Sequence, residues 1–441
     1  MPAEKARGST SPSRRQRVLM LSWEYPPVVV GGLGRHVHAL ATSLATAGHE
    51  VTVVTRHAPG APLEEHAEGV RIVRAPEDPA RFSLATPSLL AWTMAFNHTL
   101  TRAALRATAS AGFDVIHAHD WLVTHTAVTL KEHLDLPLVA TIHATEAGRH
   151  QGWLPGEMNR TIHSIECWLA AEACRVLVCS GYMKWEVERL LDLPPDRVEV
   201  IPNGVDRRAW KATRRAITVA RKRYAGTGPL IGYAGRLVYE KGVQHLVGAI
   251  PELRREFPGL RVVIAGDGPY REELQTQARG RRIGDDTLRF TGFLGVGELP
   301  ALLGAMDTTV VPSLYEPFGM VALEAAAAGA PLAVADTGGL PEIVESGVTG
   351  VTFPSHRADG LAAAVGSLLD DGVFARRVAD QAQIMLRERF TWSGIARRTS
   401  AAYTTATHDA PAHEIALMES RLAAGQSEIV VPDGNLLGIN R

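Results

Sequence analysis

The sequence has no excess of charge of either sign. Its 46 Lys and Arg residues nearly balance its 47 Asp and Glu residues, which leaves a formal charge of −1 at pH 7. Proteins that bind nucleic acid or anionic membranes without specificity carry a net positive charge or a broad basic patch. The composition therefore argues against both kinds of partner, and any basic site in this chain must be local.

Cysteine and long apolar segments are also scarce. Cys167, Cys174 and Cys179 lie in one stretch without the spacing of a metal site, and their apolar surroundings predict reduced thiols in the core. No apolar run approaches the ~20 residues that a membrane-spanning helix needs, and residues 1–16 lack the apolar core of a signal peptide. We therefore predict a cytoplasmic protein with a disordered tail at 1–16.

The tripeptide Asp-x-Asp is absent from the chain. Carboxylates in such a motif would hold a divalent cation, which could neutralise a bound diphosphate. Without the motif, positive side chains of the protein would have to neutralise that group. We therefore expect no cofactor and no metal ion.

The composition is that of a globular protein with more than one core. The chain has 441 residues, of which 46% are hydrophobic and 21% charged, and one core rarely serves a chain of this length. Short runs of Val, Ile and Leu alternate with helical segments, as in RVLMLS (17–22) followed by RHVHALATSLATAG (35–48). Continuous apolar strands separated by helices are typical of parallel sheets covered on both faces.

This alternation starts again after PNG (202–204). We therefore predict an α/β protein with two Rossmann-like doubly wound domains that face a central cleft. Ligands of such sheets bind beyond the carboxyl ends of the strands, so the loops that follow strands are where a site is expected. The predicted units are a tail at 1–16, an N-terminal domain at 17–204, a C-terminal domain at 205–390 and a tail at 406–441.

The segment GGLGRHVH (31–38) lies where the first strand gives way to a helix. Amides at a helix start and the helix dipole attract anions, and glycines let a phosphate come close. The amides of Leu33, Gly34 and Arg35 are therefore candidates for binding a diphosphate. A tight turn that needs glycine explains the segment equally well, and the third glycine of the dinucleotide fingerprint is missing.

A second candidate loop, GRLVYEKG (235–242), follows the first strand of the second half. Arg236 can hold phosphate oxygens in a planar fork, and Lys241 supplies a mobile point charge. Together they suit a diphosphate. The alternative is a solvated pair of surface charges, which is the usual situation of Arg and Lys.

The segment EPFGMVALEAAAAGAP (316–331) predicts a helix that starts near Phe318 or Gly319. Glu316 then precedes the first turn and Glu324 lies about one and a half turns inside. By itself, Glu316 makes a favourable contact with the helix dipole, worth roughly 0.3–1 kcal/mol. Among the small alanine side chains, Glu324 would be costly without a polar partner.

Two carboxylates around such a helix start can accept hydrogen bonds from hydroxyls, while free amides favour phosphates. A sugar nucleotide has this arrangement of sugar hydroxyls, diphosphate and ribose diol. The candidate amides are those of Phe318, Gly319, Met320 and Val321.

Two further strands, DVIHAHD (114–120) and LPLVATIH (136–143), end in polar residues. A single histidine is more often a structural group than a catalyst. His143 is the better candidate for the cleft, because a polar loop that contains glycine follows it. We interpret Trp121 as a packing residue.

The combination of these segments resembles the retaining glycosyltransferases of family 4, which have the GT-B fold, and more distantly bacterial glycogen synthases. GGLG, TIH, GRLVYEKG and the glutamates of EPFGMVALE, with seven residues between them, carry the resemblance, which covers roughly residues 17–405. SWEYPPVVVGGLGRHVH and TIHATEAGRHQGW are most similar to actinobacterial α-glucosyltransferases that build α-1,4-glucans or methylglucose polysaccharides. Bacterial glycogen synthases carry Lys-Thr before Gly-Gly-Leu, whereas this chain has Val29-Val30, so the donor contacts of that lysine are expected to be missing.

The resemblance implies roles on the phosphate side of the site. The Gly34 amide would contact the donor diphosphate, and Arg236 and Lys241 would neutralise it as it leaves. The last helix of the family, here about 391–405, would cross back to the first domain.

It also implies roles toward the two sugars of the donor. Glu316 would accept a hydrogen bond from the 3-hydroxyl of the transferred sugar, close to the amides of the helix start. Glu324 would hold the ribose. His143 would contact the 6-hydroxyl of the transferred sugar.

The implied reaction transfers glucose, with retention, from an ADP-, UDP- or GDP-linked donor to a hydroxyl of an α-glucan or related carbohydrate acceptor. A family 4 enzyme with another hexose donor and a small-molecule or lipid acceptor is the main alternative. A sugar-nucleotide epimerase, a non-catalytic sensor of sugar nucleotides and, given the broken glycine fingerprint, a dehydrogenase remain further alternatives.

Overall fold

The structure is a computed structural model that describes residues 15–76, 88–295 and 297–423. Within these ranges two sheets are each flanked by helices, which confirms the predicted α/β class. The predicted tail at 1–16 lies almost entirely outside the described residues.

The first sheet has the strand order β3-β4-β2-β1-β5-β6-β7-β8, and its strands run parallel except for β3, which pairs antiparallel with β4. The order reverses between β1 and β5, and such a switch point opens a crevice at the carboxyl ends of the strands. The strands are β1 (Arg17–Leu21), β2 (Glu50–Arg56), β3 (Glu64–Ala67), β4 (Val70–Ala75), β5 (Val115–His119), β6 (Leu138–Ile142), β7 (Arg175–Val178) and β8 (Val198–Val200).

Six helices accompany this sheet in the described part of the chain. They are α1 (Gly32–Thr46), α2 (Leu89–Ala109), α3 (Thr124–Leu134), α4 (Glu146–Arg149), α5 (Glu157–Glu172) and α6 (Gly181–Leu190).

The second sheet has the order β11-β10-β9-β12-β13-β14, and every pairing in it is parallel. Its switch point lies between β9 and β12. The strands are β9 (Leu230–Ala234), β10 (Arg261–Ala265), β11 (Leu288–Gly292), β12 (Thr308–Val311), β13 (Leu332–Ala335) and β14 (Val351–Phe353).

The remaining helices follow in the second half of the chain. They are α7 (Arg214–Tyr224), α8 (Val243–Glu256), α9 (Arg271–Gly280), α10 (Glu298–Ala305), α11 (Met320–Ala328), α12 (Leu340–Ile343), α13 (Ala358–Asp370), α14 (Gly372–Arg389) and α15 (Trp392–Ala423).

The central strands are buried along their whole length because helices cover both faces. Every residue of β5, β6, β9, β12 and β13 is buried, as continuous Val, Ile and Leu runs predict for parallel sheets. Cys174 and Cys179 are buried and Cys167 is partly buried, and all three are free thiols. None of the described helices has an apolar stretch long enough to span a bilayer.

The last helix differs from the sequence prediction. We expected a returning helix at about 391–405 and a polar tail from 406, but α15 continues without a break to Ala423. Its first part packs on the N-terminal domain, where Tyr403 lies in one apolar cluster with Val37 of α1. Residues 424–441 lie outside the described range.

The charges that suggested a tail are in fact paired with the N-terminal domain. Asp409 accepts from Arg175 at 2.5 Å, and Glu414 accepts from Lys131 of α3 at 2.7 Å. These pairs join distant parts of the chain, so local composition did not indicate them.

Further differences concern two short strands and the start of one helix. The strands β3 and β14 were not predicted, and α11 begins at Met320 rather than at Phe318 or Gly319. Gly319 precedes the helix with a φ of 114°, a conformation that favours glycine.

Candidate active site

The carboxyl ends of the two sheets face each other, and loops from both domains meet there. A Cβ atom placed on Gly32 would lie 3.6 Å from the Met320 side chain of α11. The Thr145 amide donates to the Tyr315 hydroxyl at 3.4 Å. The structure therefore brings the loops chosen from the sequence together across one cleft.

Lys241 and Glu316 form a direct ion pair in this cleft. The Lys241 ammonium donates to Glu316 Oε2 at 2.8 Å, and the Ser313 hydroxyl donates to the same oxygen at 2.9 Å. Gly242 lets the loop that carries Lys241 approach the loop that carries Glu316. A Cβ atom at position 242 would lie 1.8 Å from the Pro312 carbonyl oxygen. Its φ of 68° also favours glycine.

Arg236 lies in the same loop as Lys241 and is exposed. Its backbone is fixed by the buried Tyr233, whose hydroxyl donates to the Arg236 carbonyl at 2.9 Å. Burial raises the pKa of Tyr233, with Glu316 raising it further and Arg236 lowering it, so both charges act on this hydroxyl. Among the described residues no carboxylate forms an ion pair with Arg236, and the guanidinium is free to meet an anion.

The start of α11 presents free amides. No carbonyl in the described part of the chain accepts from the amides of residues 318–321. A Cβ atom on Gly319 would lie 2.6 Å from the Leu340 side chain, so a larger residue cannot occupy this position. The helix start is therefore able to bind an anion.

Glu324 is 3% exposed, and its partner comes from the other domain. Arg35 of α1 donates to Glu324 Oε1 at 2.9 Å. Burial raises the pKa of Glu324 to about 7, and the charge of Arg35 opposes that rise. The polar partner expected for this carboxylate exists, but the sequence did not identify Arg35 in that role.

Gly34 lies in the first turn of α1 and faces another carboxylate. The buried Glu24 accepts from the amides of Val30 at 2.8 Å and Gly31 at 3.0 Å. Burial raises the pKa of Glu24, and the amides of Gly31, Val30 and Gly34 lower it. Glu24, a residue that sequence reasoning missed, thus binds amides directly before the expected cluster of Leu33, Gly34 and Arg35, and its carboxylate lies against Gly34.

His143 belongs to a cluster of histidines at the ends of β5 and β6. Its Nε2 lies 3.2 Å from Nδ1 of His119, and its ring centroid is 4.7 Å from that of His36. Its amide donates to Asp120 Oδ1 at 2.8 Å. Sequence reasoning selected His143 but interpreted the histidines of HAHD (117–120) as structural. The polar residues at the end of that strand were the signal that could have indicated His119 and Asp120.

Burial controls the protonation of this cluster. It lowers the pKa of His143 to about 4, and it lowers the pKa of His36 and His119 well below the ordinary value. It raises the pKa of Asp120 to about 7, against the hydrogen bond from the His143 amide and the charge of Arg149. The histidines are therefore neutral at pH 7, and they offer hydrogen bonds without charge.

Further contacts join the two domains beside the cleft. Tyr315 donates to Glu186 at 2.8 Å, and the amides of Gly181 and Tyr182 at the start of α6 each donate to Glu342 at 2.9 Å. The Ser180 hydroxyl donates to the Pro317 carbonyl at 2.6 Å, directly after Glu316. The loop that carries Glu316 is thus held by both domains.

Comparison with known protein families assigns each half of the chain. The family model described as Glycosyltransferase Family 4 matches residues 30–208, and the model described as Glycosyl transferases group 1 matches residues 217–385.

Similar proteins match nearly the whole chain. A glycogen synthase from Mycobacterium tuberculosis is 46% identical over 401 residues, which is 88% of this chain and 95% of that protein. An alpha-maltose-1-phosphate synthase from the same organism is 31% identical, over 87% of this chain and 97% of that protein. The structure of a sucrose-phosphate synthase from Thermosynechococcus elongatus aligns with a TM-score of 0.77 and 25% identity, over 89% of this chain and 99% of that one.

Proposed function

The chain belongs to glycosyltransferase family 4 and has the GT-B fold, and from this premise we propose that it transfers glucose from a nucleotide diphosphate glucose to a hydroxyl of an α-glucan, with retention. The observation that carries the proposal is the ion pair between Lys241 and Glu316, which joins the loop of Arg236 and Lys241 to the free amides at the start of α11. The 46% identity to a glycogen synthase supports glucose and a glucan as substrates.

The cationic side of the cleft suits the donor diphosphate. Arg236 is exposed without an ion-pair partner in the described part of the chain, and Lys241 can exchange Glu316 for a phosphate oxygen. The free amides at the start of α11 add a partial positive charge. These groups supply positive charge without a metal ion, so we propose metal-independent catalysis.

The carboxylates and the histidine suit the sugars. Glu316 would accept from a hydroxyl of the transferred glucose once Lys241 turns to the diphosphate. Glu324 would accept from the ribose hydroxyls in place of Arg35. His143 is a neutral hydrogen-bonding group and would contact the 6-hydroxyl without adding charge near the reacting carbon.

Stabilisation of the leaving group supplies most of the catalysis in this proposal. The bond between the anomeric carbon and the phosphate oxygen breaks, and the acceptor hydroxyl forms the new bond on the same face. The departing phosphate takes the proton of that hydroxyl, so no protein nucleophile is needed.

The experiment is a panel of ADP-, UDP- and GDP-glucose, each with and without maltooligosaccharides, analysed for released nucleotide and for glucan length. We expect release that depends on the acceptor and an α-linked product by NMR. Donor conversion to an epimer without acceptor would indicate an epimerase, and donor binding without conversion would indicate a sensor. The Glu316→Ala protein serves as the inactive control.

A small phosphorylated acceptor is a second candidate, because the chain is also 31% identical to an alpha-maltose-1-phosphate synthase. Adding glucose 1-phosphate to the same panel separates the two. Formation of α-maltose 1-phosphate in preference to longer glucan would favour this second acceptor. For either acceptor we propose that the reaction takes place in the cytoplasm.

A further inference from the structure

Three histidines from three different elements point toward one another beside the proposed sugar site. His36 lies on α1, His119 ends β5 and His143 follows β6. One ring nitrogen of each lies within 4.8 Å of the other two. The adjacent strands β1, β5 and β6 cause this, because their carboxyl ends meet at the switch point of the first sheet.

The nitrogens of this cluster are unusually short of hydrogen-bond partners. His36 is 5% exposed, and neither of its nitrogens makes a hydrogen bond of good geometry within the described residues, although the Asn203 side chain, whose Oδ1 is also unpaired, lies beside the ring. His119 is fully buried, and its Nε2 is likewise unpaired there. Buried polar atoms without partners are rare in native proteins, and each one suggests a bound water or ion.

His117, the neighbour of this cluster, shows what a structural histidine looks like in the same surroundings. Its ring centroid lies 4.2 Å from that of His119, yet both of its nitrogens are engaged. One lies 2.7 Å from the Tyr403 hydroxyl and the other 2.7 Å from the Thr141 hydroxyl. Unpaired buried nitrogens therefore distinguish His36 and His119 from their neighbour His117.

We propose that His36, His119 and His143 bind one divalent transition-metal ion such as Zn²⁺. Three imidazole ligands and one open position form a common zinc arrangement. Neutral imidazole is the form that coordinates a metal, and burial keeps these rings neutral at pH 7.

The geometry allows this with small movements. Tetrahedral zinc with Zn–N bonds of about 2.0–2.1 Å places its ligand nitrogens roughly 3.4 Å apart. The three rings must therefore close by about an ångström and a half at most from their present separation. The contact between His119 and His143 would be lost, and the Asn203 side chain beside His36 would have to leave one nitrogen of that ring free.

Metal binding would compete with glycosyl transfer, and this consequence alone rests on the proposed function. A ring of His143 that coordinates a metal cannot also contact the donor sugar. The enzyme would then need no metal for catalysis and would be inhibited by one.

The test uses the full chain without a histidine tag, stripped with EDTA and dialysed. Zn²⁺ binding is followed by calorimetry, and Co²⁺ binding by its absorption spectrum, both in the absence of donor. We expect one ion per chain, and an affinity reduced about tenfold or more in His36→Gln and in His119→Gln. His98→Gln, which alters an exposed histidine on α2, should bind like the parent.

Two results would overturn the proposal. One is the lack of a saturable Zn²⁺ site in the parent protein. The other is an affinity of His36→Gln for Zn²⁺ equal to that of the parent, which would mean an adventitious ion only. If one variant fails to fold by circular dichroism, the other variant and the parent's Co²⁺ spectrum still decide. Because binding is measured without donor, failure of the proposed glycosyl transfer would leave this result unchanged.

Discussion

The cleft has a C-terminal wall, formed by loops of the second domain, and an N-terminal wall, formed by loops of the first domain, and the two differ in electrostatic character. The C-terminal wall carries ionised groups that remain partly exposed, with side-chain exposures of 18% for Lys241 and 13% for Glu316. The N-terminal wall carries neutral rings that are buried, among them His36 and His119. In the proposed reaction the departing diphosphate needs positive charge, which Lys241 would supply, whereas the uncharged sugar would form hydrogen bonds with both walls, through Glu316 on one and His143 on the other.

The comparison also shows how burial decides charge. Full burial makes the histidines of the N-terminal wall neutral, whereas Lys241 and Glu316 of the C-terminal wall are partly exposed and form an ion pair. Glu324 is intermediate, since it is buried but faces Arg35 of the other wall.

Removing a cation from the C-terminal wall should have the largest effect. We expect Lys241→Ala or Arg236→Ala to lower turnover about a hundredfold to a thousandfold, because loss of one donor to a developing anion costs ~3–4 kcal/mol. Lys222→Ala, which removes an exposed cation on α7, is the matched control. Near-normal turnover in both variants would contradict the proposal that the cations of the C-terminal wall stabilise the leaving diphosphate.

Glu324 tests the contact between the walls. Glu324→Gln should raise the KM for donor about tenfold, or ~1.4 kcal/mol, because a carboxylate accepts from a ribose diol better than an amide does. As pH falls through about 7, the carboxylate of the parent gains a proton and accepts less well, so donor affinity should fall.

This fall should be smaller in the variant, measured as KM from pH 6 to 8. Glu256→Gln, on an exposed position of α8, is the control. A parent and a Glu324→Gln variant with the same pH profile would contradict the assignment.

A substitution in the buried N-terminal wall should lower the free energy of unfolding. Tyr403→Phe removes the partner of the His117 ring at 2.7 Å and leaves a buried nitrogen unpaired, which should cost about 1–2 kcal/mol of unfolding free energy. Urea denaturation measures it, with Tyr239→Phe at an exposed tyrosine as control. Equal urea midpoints for the two variants would indicate that the hydrogen bond between Tyr403 and His117 adds nothing to stability.

The smallest effect on stability is expected at the contact between Glu342 and the start of α6, which joins the two domains beside the cleft. Glu342→Ala removes the carboxylate that accepts from the first amides of α6, and we expect a loss of roughly 0.3–1 kcal/mol. Thermal unfolding should show a slightly lower midpoint than for Glu345→Ala, another exposed glutamate nearby. A lower midpoint for the Glu345 variant would be the opposite of this expectation.

Much of the fold followed from periodicity, because parallel sheets covered on both faces leave continuous apolar runs. The rule that sites follow strand ends led to His143, Arg236, Lys241 and Glu316. Their roles toward substrate stay predictions. What the sequence could not supply was pairing over long distances, such as Arg35 with Glu324.

Polar residues that serve an interface were also misjudged. The segment after 406 is polar, yet Asp409 and Glu414 hold it as a helix through cations of the other domain. Glu24 was overlooked for a related reason, because its hydrogen bonds to Val30 and Gly31 depend on how the glycine loop folds back. Composition describes a residue's own chemistry and not the partner it will meet.

The chain passes between the domains twice, once before α7 and once before α15, and the two passages are tied together where the Val205 amide donates to the Phe390 carbonyl at 3.0 Å. The ring of Trp392, at the second passage, lies 5.4 Å from the ring of His36, which neighbours the Arg35 that pairs with Glu324. The contact between Arg35 and Glu324 therefore lies close to the two passages. A rotation of the domains about these passages would move this contact less than it moves loops farther away.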